Sequence, residues 1–329
     1  MKKMYLVLMA VLALFFSANM FAANLYNADG TVVDLYSRLY AIYQQADQGE
    51  ITGDCSRLGL QTSTKVNNDL SVFARAEFRY DASQREKETV FNDLRNTYVG
   101  VDSSFGKVTV GNFDSVYYQA VSSKLDIYEN AGFIALADGS TASRADSVSY
   151  SSPDLMGVKI HGQIRHYGQD QTVSGDEKIM FQGGVTFDMN ALSLGIAAVI
   201  ADDEAEAVFV TETDATGEET TTATAKYSEN IYGFSASYTL FEALTLIAMA
   251  EYQKDAGEAD MNISGGVSYS YGMGDVYGSL GQDCNEEMYY ALGANWKFSK
   301  PMRIFVEYAG GDAVNPDNNI FTAGLRYDF

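Results

Sequence analysis

The stretch that decides the fold is the end of the chain, residues 319–329, with the sequence NIFTAGLRYDF. Its odd positions are mostly apolar and its even positions mostly polar or small, with Phe321 and Tyr327 on one side and Thr322 and Arg326 on the other. Side chains that alternate with a period of two point to opposite faces of a β-strand. This stretch therefore predicts a strand with one apolar face and one polar face.

The same alternation recurs along the chain and defines sixteen predicted strands. Most are close to the length, about nine to eleven residues, that a tilted strand needs to cross a bilayer. An even number of antiparallel strands also brings both ends of the chain to one side of the membrane. The predicted strands cover residues 31–43, 56–65, 70–80, 93–102, 106–112, 143–151, 157–167, 178–188, 191–201, 226–239, 243–253, 260–271, 274–281, 287–298, 301–309 and 319–329.

The connections between these strands alternate between short and long. The short turns fall at 66–69, 103–105, 152–156, 189–190, 240–242, 272–273 and 299–300. The longer, polar or acidic connections fall at 44–55, 81–92, 113–142, 168–177, 202–225, 254–259, 282–286 and 310–318. Outer-membrane barrels sort their connections in this way, whereas a soluble β-sandwich has no reason to. We therefore predict an all-β, 16-stranded antiparallel transmembrane β-barrel.

The composition and the first residues agree with an exported membrane protein. The net charge of the 329-residue chain is −22, which argues against nucleic acid as a partner because phosphate binding needs a basic surface. Lys2 and Lys3 precede an apolar run, Met4–Phe16, that is too short to span a bilayer and is typical of a secretory signal. We expect residues 1–22 to be a signal peptide and residues 23–329 to form a single barrel domain.

The third long connection, Phe113–Ala142, is much longer than a turn requires. It contains thirty residues, and a connection of that length in a compact fold is either disordered or functional. We interpret this loop, the third external loop, as folding into the lumen of the barrel and narrowing the pore.

Four segments share their sequence pattern with one known family. They are residues 24–36 (NLYNADGTVVDLY), residues 56–80 (SRLGLQTSTKVNNDLSVFARAEFRY), Gly100–Gly111 with the loop that follows it, and the terminal GLRYDF. In these segments the chain resembles the trimeric general diffusion porins of Gram-negative outer membranes, of the enterobacterial matrix-porin type. The resemblance implies a homotrimer that passes small hydrophilic solutes and ions passively, without a cofactor. The terminal strand also looks like the signal by which such barrels are recognised for insertion.

The resemblance further implies a pore constriction between acidic side chains of the inward loop and a ladder of arginines on the opposite wall. The residues at the family's positions are Arg38, Arg57, Arg95 and Arg144 on the wall and Asp126 and Glu129 on the loop. The match weakens after Glu129, because family members often have Pro-Glu-Phe-Gly-Gly where this chain has Tyr128-Glu129-Asn130-Ala131-Gly132. The alternation independently favours an inward Arg57, because Leu58 and Leu60 occupy the other face. It also places Arg75, Glu77 and Arg79 inside the barrel.

Three other functions remain open at the level of the sequence. A substrate-specific outer-membrane channel needs an aromatic track along the lumen, to which Tyr117, Tyr118 and Tyr128 could belong. A non-conducting adhesin or structural β-protein disagrees with the alternating connections. A barrel enzyme needs an activated nucleophile, and the two histidines, His161 and His166, belong to no recognisable catalytic arrangement.

Two features of the predicted loops bear on partners. The carboxylates of the external loops are dispersed, so we expect a solvated surface facing outer-membrane lipid and lipopolysaccharide, and no metal site. Cys55 and Cys284 both lie in predicted loops, where they could form a disulfide or remain two free thiols.

Overall fold

The computed structural model describes residues 22–46, 49–83, 91, 93–137, 146–200, 207–213, 219–225, 229–314 and 319–329. Within these ranges, sixteen antiparallel strands form a barrel, and two short strands, Ala23–Ala28 and Gly49–Thr52, extend the same sheet. The barrel strands are β1 (Thr31–Gln45), β2 (Ser56–Lys65), β3 (Leu70–Tyr80), β4 (Asp93–Ser103), β5 (Gly106–Asn112), β6 (Ser147–Ser151), β7 (Val158–Tyr167), β8 (Lys178–Met189), β9 (Leu192–Ile200), β10 (Ile231–Leu240), β11 (Leu244–Gln253), β12 (Met261–Ser270), β13 (Gly274–Gln282), β14 (Met288–Lys297), β15 (Met302–Gly310) and β16 (Ile320–Asp328).

The barrel closes between its last strand and its first. β16 pairs with β15 on one side and with β1 on the other, from Arg38 opposite Asp328 to Gln45 opposite Phe321. The last residue continues this ladder, because Phe329 N donates to Ser37 O at 3.0 Å and Ser37 N donates to Phe329 O at 2.8 Å. Closure removes the exposed strand edges that an open sheet would present. The predicted sixteen-stranded antiparallel barrel is confirmed.

The two faces of the wall differ as the alternation predicts. Outward side chains are apolar and exposed, as in Leu246 and Leu292, which are 45% and 63% accessible. Aromatic rings lie on this face near the short turns, where Trp296 packs against Phe298 with ring centroids 4.6 Å apart. Such rings form the girdle of a membrane barrel at the edge of its apolar band.

Several elements differ from the prediction. A short strand, Ala23–Ala28, precedes β1 and pairs with it through a turn at Asp29 and Gly30, whose φ angles of 53° and 75° are those of a type I′ hairpin. A second hairpin, Ala207–Thr213 with Glu219–Ala225, forms a separate two-stranded sheet inside the connection predicted at 202–225. β10 begins at Ile231, later than the predicted residue 226.

Three further predictions concern the cysteines, the signal peptide and membrane-spanning helices. Cys55 and Cys284 are both free thiols, so they are not joined as a disulfide. The predicted signal peptide falls almost entirely on residues 1–21, outside the described part of the chain. No helix in the described ranges is long and apolar enough to cross a membrane.

Candidate pore constriction

The third loop begins with a short helix, α1 (Val116–Ala120), that is fixed to inward-facing side chains of the wall. Ser115 caps the helix, and its Oγ accepts a hydrogen bond from Tyr118 N at 3.0 Å. The first two backbone amides of the helix bond the wall. Val116 N donates to Gln163 Oε1 on β7 at 2.9 Å, and Tyr117 N donates to Gln182 Oε1 on β8 at 3.0 Å. These bonds satisfy donors that a helix leaves free at its start. The beginning of the loop therefore lies against the inner wall.

A buried glutamate on β11 holds the two ends of the described loop together. Glu251, only 1% exposed, accepts a hydrogen bond from Tyr117 Oη at 2.9 Å and another from Leu136 N at 2.9 Å. Asn262 Nδ2, on β12, donates to the same carboxylate at 2.8 Å. A buried carboxyl group is stable only when hydrogen bonds satisfy its oxygens, and these three donors meet that requirement.

A second glutamate, Glu307 on β15, holds the tip of the loop. Its carboxylate accepts the backbone amides of Glu129 and Asn130 at 2.8 and 3.0 Å, and the hydroxyl of Tyr277 at 2.7 Å. Beside it, Tyr128 Oη donates to Ser279 Oγ at 2.7 Å. The loop is thus attached to the wall by backbone hydrogen bonds at its start, its tip and its far end.

Apolar packing fills the space between the loop and this part of the wall. Tyr117, Val121 and Leu125 of the loop are fully buried, and they belong to one core cluster with inward side chains of β8 to β11. The wall residues of that cluster include Met180, Ala197, Val199, Ile231, Ile247 and Met249. The inward face of a channel barrel is usually polar because it lines a water-filled lumen. The apolar wall residues of this cluster therefore mark the area that the loop covers.

Arginines face the lumen from the strands that the loop does not cover. On β3, Glu77 is fully buried and accepts hydrogen bonds from Arg75 at 2.5 Å, from Arg95 at 3.0 Å and from Tyr36 Oη at 3.0 Å. Charge-assisted bonds of this kind fix both the carboxylate and the guanidiniums in place. Arg95 also lies 4.0 Å from Asp114, at the start of the loop.

A second charged cluster joins the tip of the loop to the barrel's closure. Glu129 pairs with Arg326 at 3.0 Å and with Arg303 at 3.6 Å. Asp328 pairs with Arg326 at 2.8 Å and with Arg38 at 3.0 Å. The tip of the loop and the seam of the barrel therefore carry charges of both signs in direct contact.

Residues 9–329 match the family model described as Gram-negative porin. The chain belongs to the Gram-negative porin family. This porin is 25% identical over 360 residues to the outer membrane porin PhoE of Escherichia coli K12, and the alignment covers both chains completely. It is 21% identical over 359 residues to a monosaccharide porin of a Halomonas species, covering 94% of each chain. Family and relatives place it in the Gram-negative outer membrane.

Solved porins share the fold. OmpF of Salmonella typhi superposes with a TM-score of 0.68 at 15% identity, covering 93% of this porin and all of that chain. OmpT of Vibrio cholerae superposes with a TM-score of 0.68 at 17% identity, and the alignment covers 92% of this porin and 99% of that chain.

The structure distributes the six predicted constriction residues of the porin over both clusters and beyond them. Arg95 joins the Glu77 cluster, and Arg38 and Glu129 join the cluster at the closure. Asp126 is exposed and accepts a hydrogen bond from Tyr118 Oη at 2.5 Å. Arg57 lies on β2 opposite Arg38. Arg144 lies outside the described residues.

Sequence reasoning did not assign Arg303 and Arg326 as the partners of Glu129. Both residues are inward by alternation, and they are directly opposite each other on β15 and β16. The alternation of apolar and polar residues along these two strands indicates that both arginines face inward. Only the path of the loop shows which of the inward arginines Glu129 contacts.

Two tyrosine hydroxyls of the loop do not titrate near neutral pH. Burial, and then the neighbouring Asp126 carboxylate, raise the pKa of Tyr118 well above its usual range. Burial also raises the pKa of Tyr128, to about 12. Both phenols therefore stay protonated near neutral pH and act as hydrogen-bond donors to Asp126 and Ser279.

Proposed function

We propose that this porin forms a water-filled channel for passive diffusion of small hydrophilic solutes and ions across the outer membrane. The observation that supports it most is that side chains of the inner wall keep accessible surface beside the attached third loop. The loop contacts the wall from β7 to β16 and reaches Tyr40 and Gln44 of β1, yet the inward arginines Arg75 and Arg303 stay 22% and 27% accessible. Surface accessible inside a closed barrel lies beside water.

In this proposal the third loop, residues 113–142, and the inward arginines of the wall together line the constriction. Arg38, Arg57, Arg95 and Arg144 contribute positive charge, as the family resemblance implies, and Asp126 and Glu129 contribute negative charge. We add Arg303 and Arg326, which contact Glu129. Opposed charges across a narrow aqueous passage orient polar solutes, whereas bulky or apolar solutes lose hydration and are excluded.

A substrate-specific channel receives less support from the geometry. Of the three tyrosines that could form an aromatic track, Tyr117 is fully buried beneath the loop and Tyr128 bonds the wall through its hydroxyl. Tyr118 and Tyr128 both remain partly accessible, but the ring of Tyr128 packs edge-on against Tyr277 of the wall. Two rings without a stacking contact between them do not form a track, so general diffusion is the better-supported function.

The channel needs no chemistry, and we propose no enzymatic activity. His161 lies 2.9 Å from Ser151 Oγ, but its other ring nitrogen faces Thr186 Oγ1 at 3.1 Å. A catalytic histidine in a serine hydrolase is oriented by a carboxylate at that position. The Ser151–His161 pair is therefore explained as part of the polar lumen.

Assembly follows the family pattern in this proposal. A Vibrio cholerae relative of the same fold, with a TM-score of 0.64, was solved in a trimer form. We propose that this porin is likewise a homotrimer, that residues 1–22 are removed on export, and that the external loops face lipopolysaccharide.

Liposome swelling tests the diffusion function directly. Proteoliposomes placed in isotonic solutions of neutral sugars of increasing size are expected to swell at rates that fall smoothly with solute size. Heat-denatured protein is the matched control. Swelling with one sugar only would support a substrate-specific channel, and no swelling with folded protein would contradict a channel altogether.

A further inference from the structure

The helix α1 of the third loop lies directly on the backbone of the wall, because wall residues beneath it are glycines. Gly195 on β9 and Gly233 on β10 are both buried inward positions. A Cβ atom added to Gly195 would overlap the main-chain carbonyl of Ala120, and one added to Gly233 would overlap the hydroxyl of Tyr117. The helix therefore occupies the volume that two inward side chains would otherwise fill.

The carbonyl over Gly195 is held in place by two hydrogen bonds. Ala120 O accepts one from Ser235 Oγ on β10 at 3.1 Å and another from Lys124 Nζ at 2.9 Å. Ser235 is fully buried, so this bond lies between the helix and the wall. The carbonyl cannot turn away from Gly195 without losing partners that a buried backbone group needs.

The opposite face of α1 lines the lumen. Tyr117 and Ala120 are buried against the wall, whereas Tyr118 is half-buried and Gln119 is exposed. Inward side chains of a barrel strand point away from the wall and into the lumen. A side chain at Gly195 would therefore move the helix into the lumen, together with the side chains on its exposed face.

We propose that Gly195, with Gly233 beside it, determines the width of the channel by letting the third loop lie close to the wall. The diameter of a pore decides which solutes it admits. Gly195 and Gly233 are then positioning residues, which act on solute size through the loop and touch no solute themselves. This inference rests on the proposed channel function, because the width of the lumen affects transport only if the lumen conducts.

The atoms that face each glycine predict different effects for different substitutions. A backbone atom moves only with its helix, so Gly195→Ala should displace α1 by about 1.5 Å to restore a normal C···O separation. Gly266 on β12 also lies beneath the loop, but a Cβ there would meet Leu125 Cδ1 at 2.8 Å. The end of a leucine side chain can adopt another rotamer, so Gly266→Ala should leave the helix in place.

The test measures single-channel conductance in potassium chloride and the swelling of proteoliposomes in a monosaccharide and a disaccharide. For Gly195→Ala we expect lower conductance and a disaccharide-to-monosaccharide ratio of swelling rates about twofold below that of the wild type. Gly183→Ala is the matched control, since it adds the same methyl group to the outward face of β8, where the nearest atom is 4.0 Å away. The control and Gly266→Ala should both keep wild-type values.

Single-channel recording reports only barrels that have inserted, so a reduced yield of Gly195→Ala does not affect the result. If that variant yields no barrel, Gly233→Ala decides, with the same expected decrease in conductance. Wild-type conductance and swelling ratio in the deciding variant would overturn the proposal and leave the diffusion channel standing. Larger, noisier currents would overturn it as well, because the loop would then detach instead of shifting. An equal decrease in Gly183→Ala would assign the effect to the strands, and folded wild-type protein that does not conduct would overturn the channel function itself.

Discussion

Replacing Glu251 by leucine is expected to release the third loop from the wall and to give larger, noisier single-channel currents. The substitution leaves Tyr117 Oη, Leu136 N and Asn262 Nδ2 without their shared acceptor. Each buried loop donor that loses its partner, Tyr117 Oη and Leu136 N, costs about 1–3 kcal/mol, so the attached state should lose at least about 2 kcal/mol relative to the detached one. That difference changes the ratio of the two states by roughly thirtyfold.

The measurement is the conductance and open-channel noise of Glu251→Leu in a planar bilayer. Gln253→Leu is the matched control, because Gln253 lies on the same strand and face but bonds Glu229 O, outside the loop. Normal currents from the control and altered currents from Glu251→Leu would show that Glu251 fixes the loop. Wild-type currents from a folded Glu251→Leu would contradict the attachment described for the constriction.

Deleting Phe329 is expected to reduce the yield of assembled barrel severely. Phe329 exchanges two backbone hydrogen bonds with Ser37 at the seam where β16 meets β1, and its ring lies 6.3 Å from that of Tyr327. In a bilayer each unsatisfied backbone group costs several kcal/mol, because no water replaces the lost partner. The deletion therefore opens the seam at its end.

The amount of heat-resistant trimer in outer-membrane fractions measures this effect. Phe329→Leu is the control, since it keeps both backbone bonds and removes only the ring. Assembly of Phe329→Leu together with failure of the deletion would assign the effect to the ladder, and failure of both would assign it to the ring. Normal trimer yields from the deletion would show that the seam tolerates the loss.

The sequence predicted the barrel well because one physical constraint acts on every strand. A strand with lipid on one side and water on the other must alternate, and Phe321, Leu325 and Tyr327 against Thr322 and Arg326 record that constraint directly. The hairpin before β1 had a local signal too, in Asp29–Gly30, which favours a type I′ turn. The hairpin at 207–225 lies outside the barrel sheet, where the lipid constraint does not apply.

The constriction was less predictable because it depends on the path of a loop. Alternation places Glu251, Glu307, Arg303 and Arg326 inside the barrel, but it does not show that two of them accept backbone amides and two pair with Glu129. Those contacts join residues more than a hundred positions apart, as for Leu136 and Glu251. No periodicity in the loop specifies them.

The most direct test of the central claim is the single-channel conductance of the purified wild-type porin in a planar bilayer. We predict large ohmic steps that close in three equal levels, one for each pore of a trimer. Folded protein that inserts without conducting would contradict the account, because a barrel whose lumen is sealed by the third loop cannot be a diffusion channel.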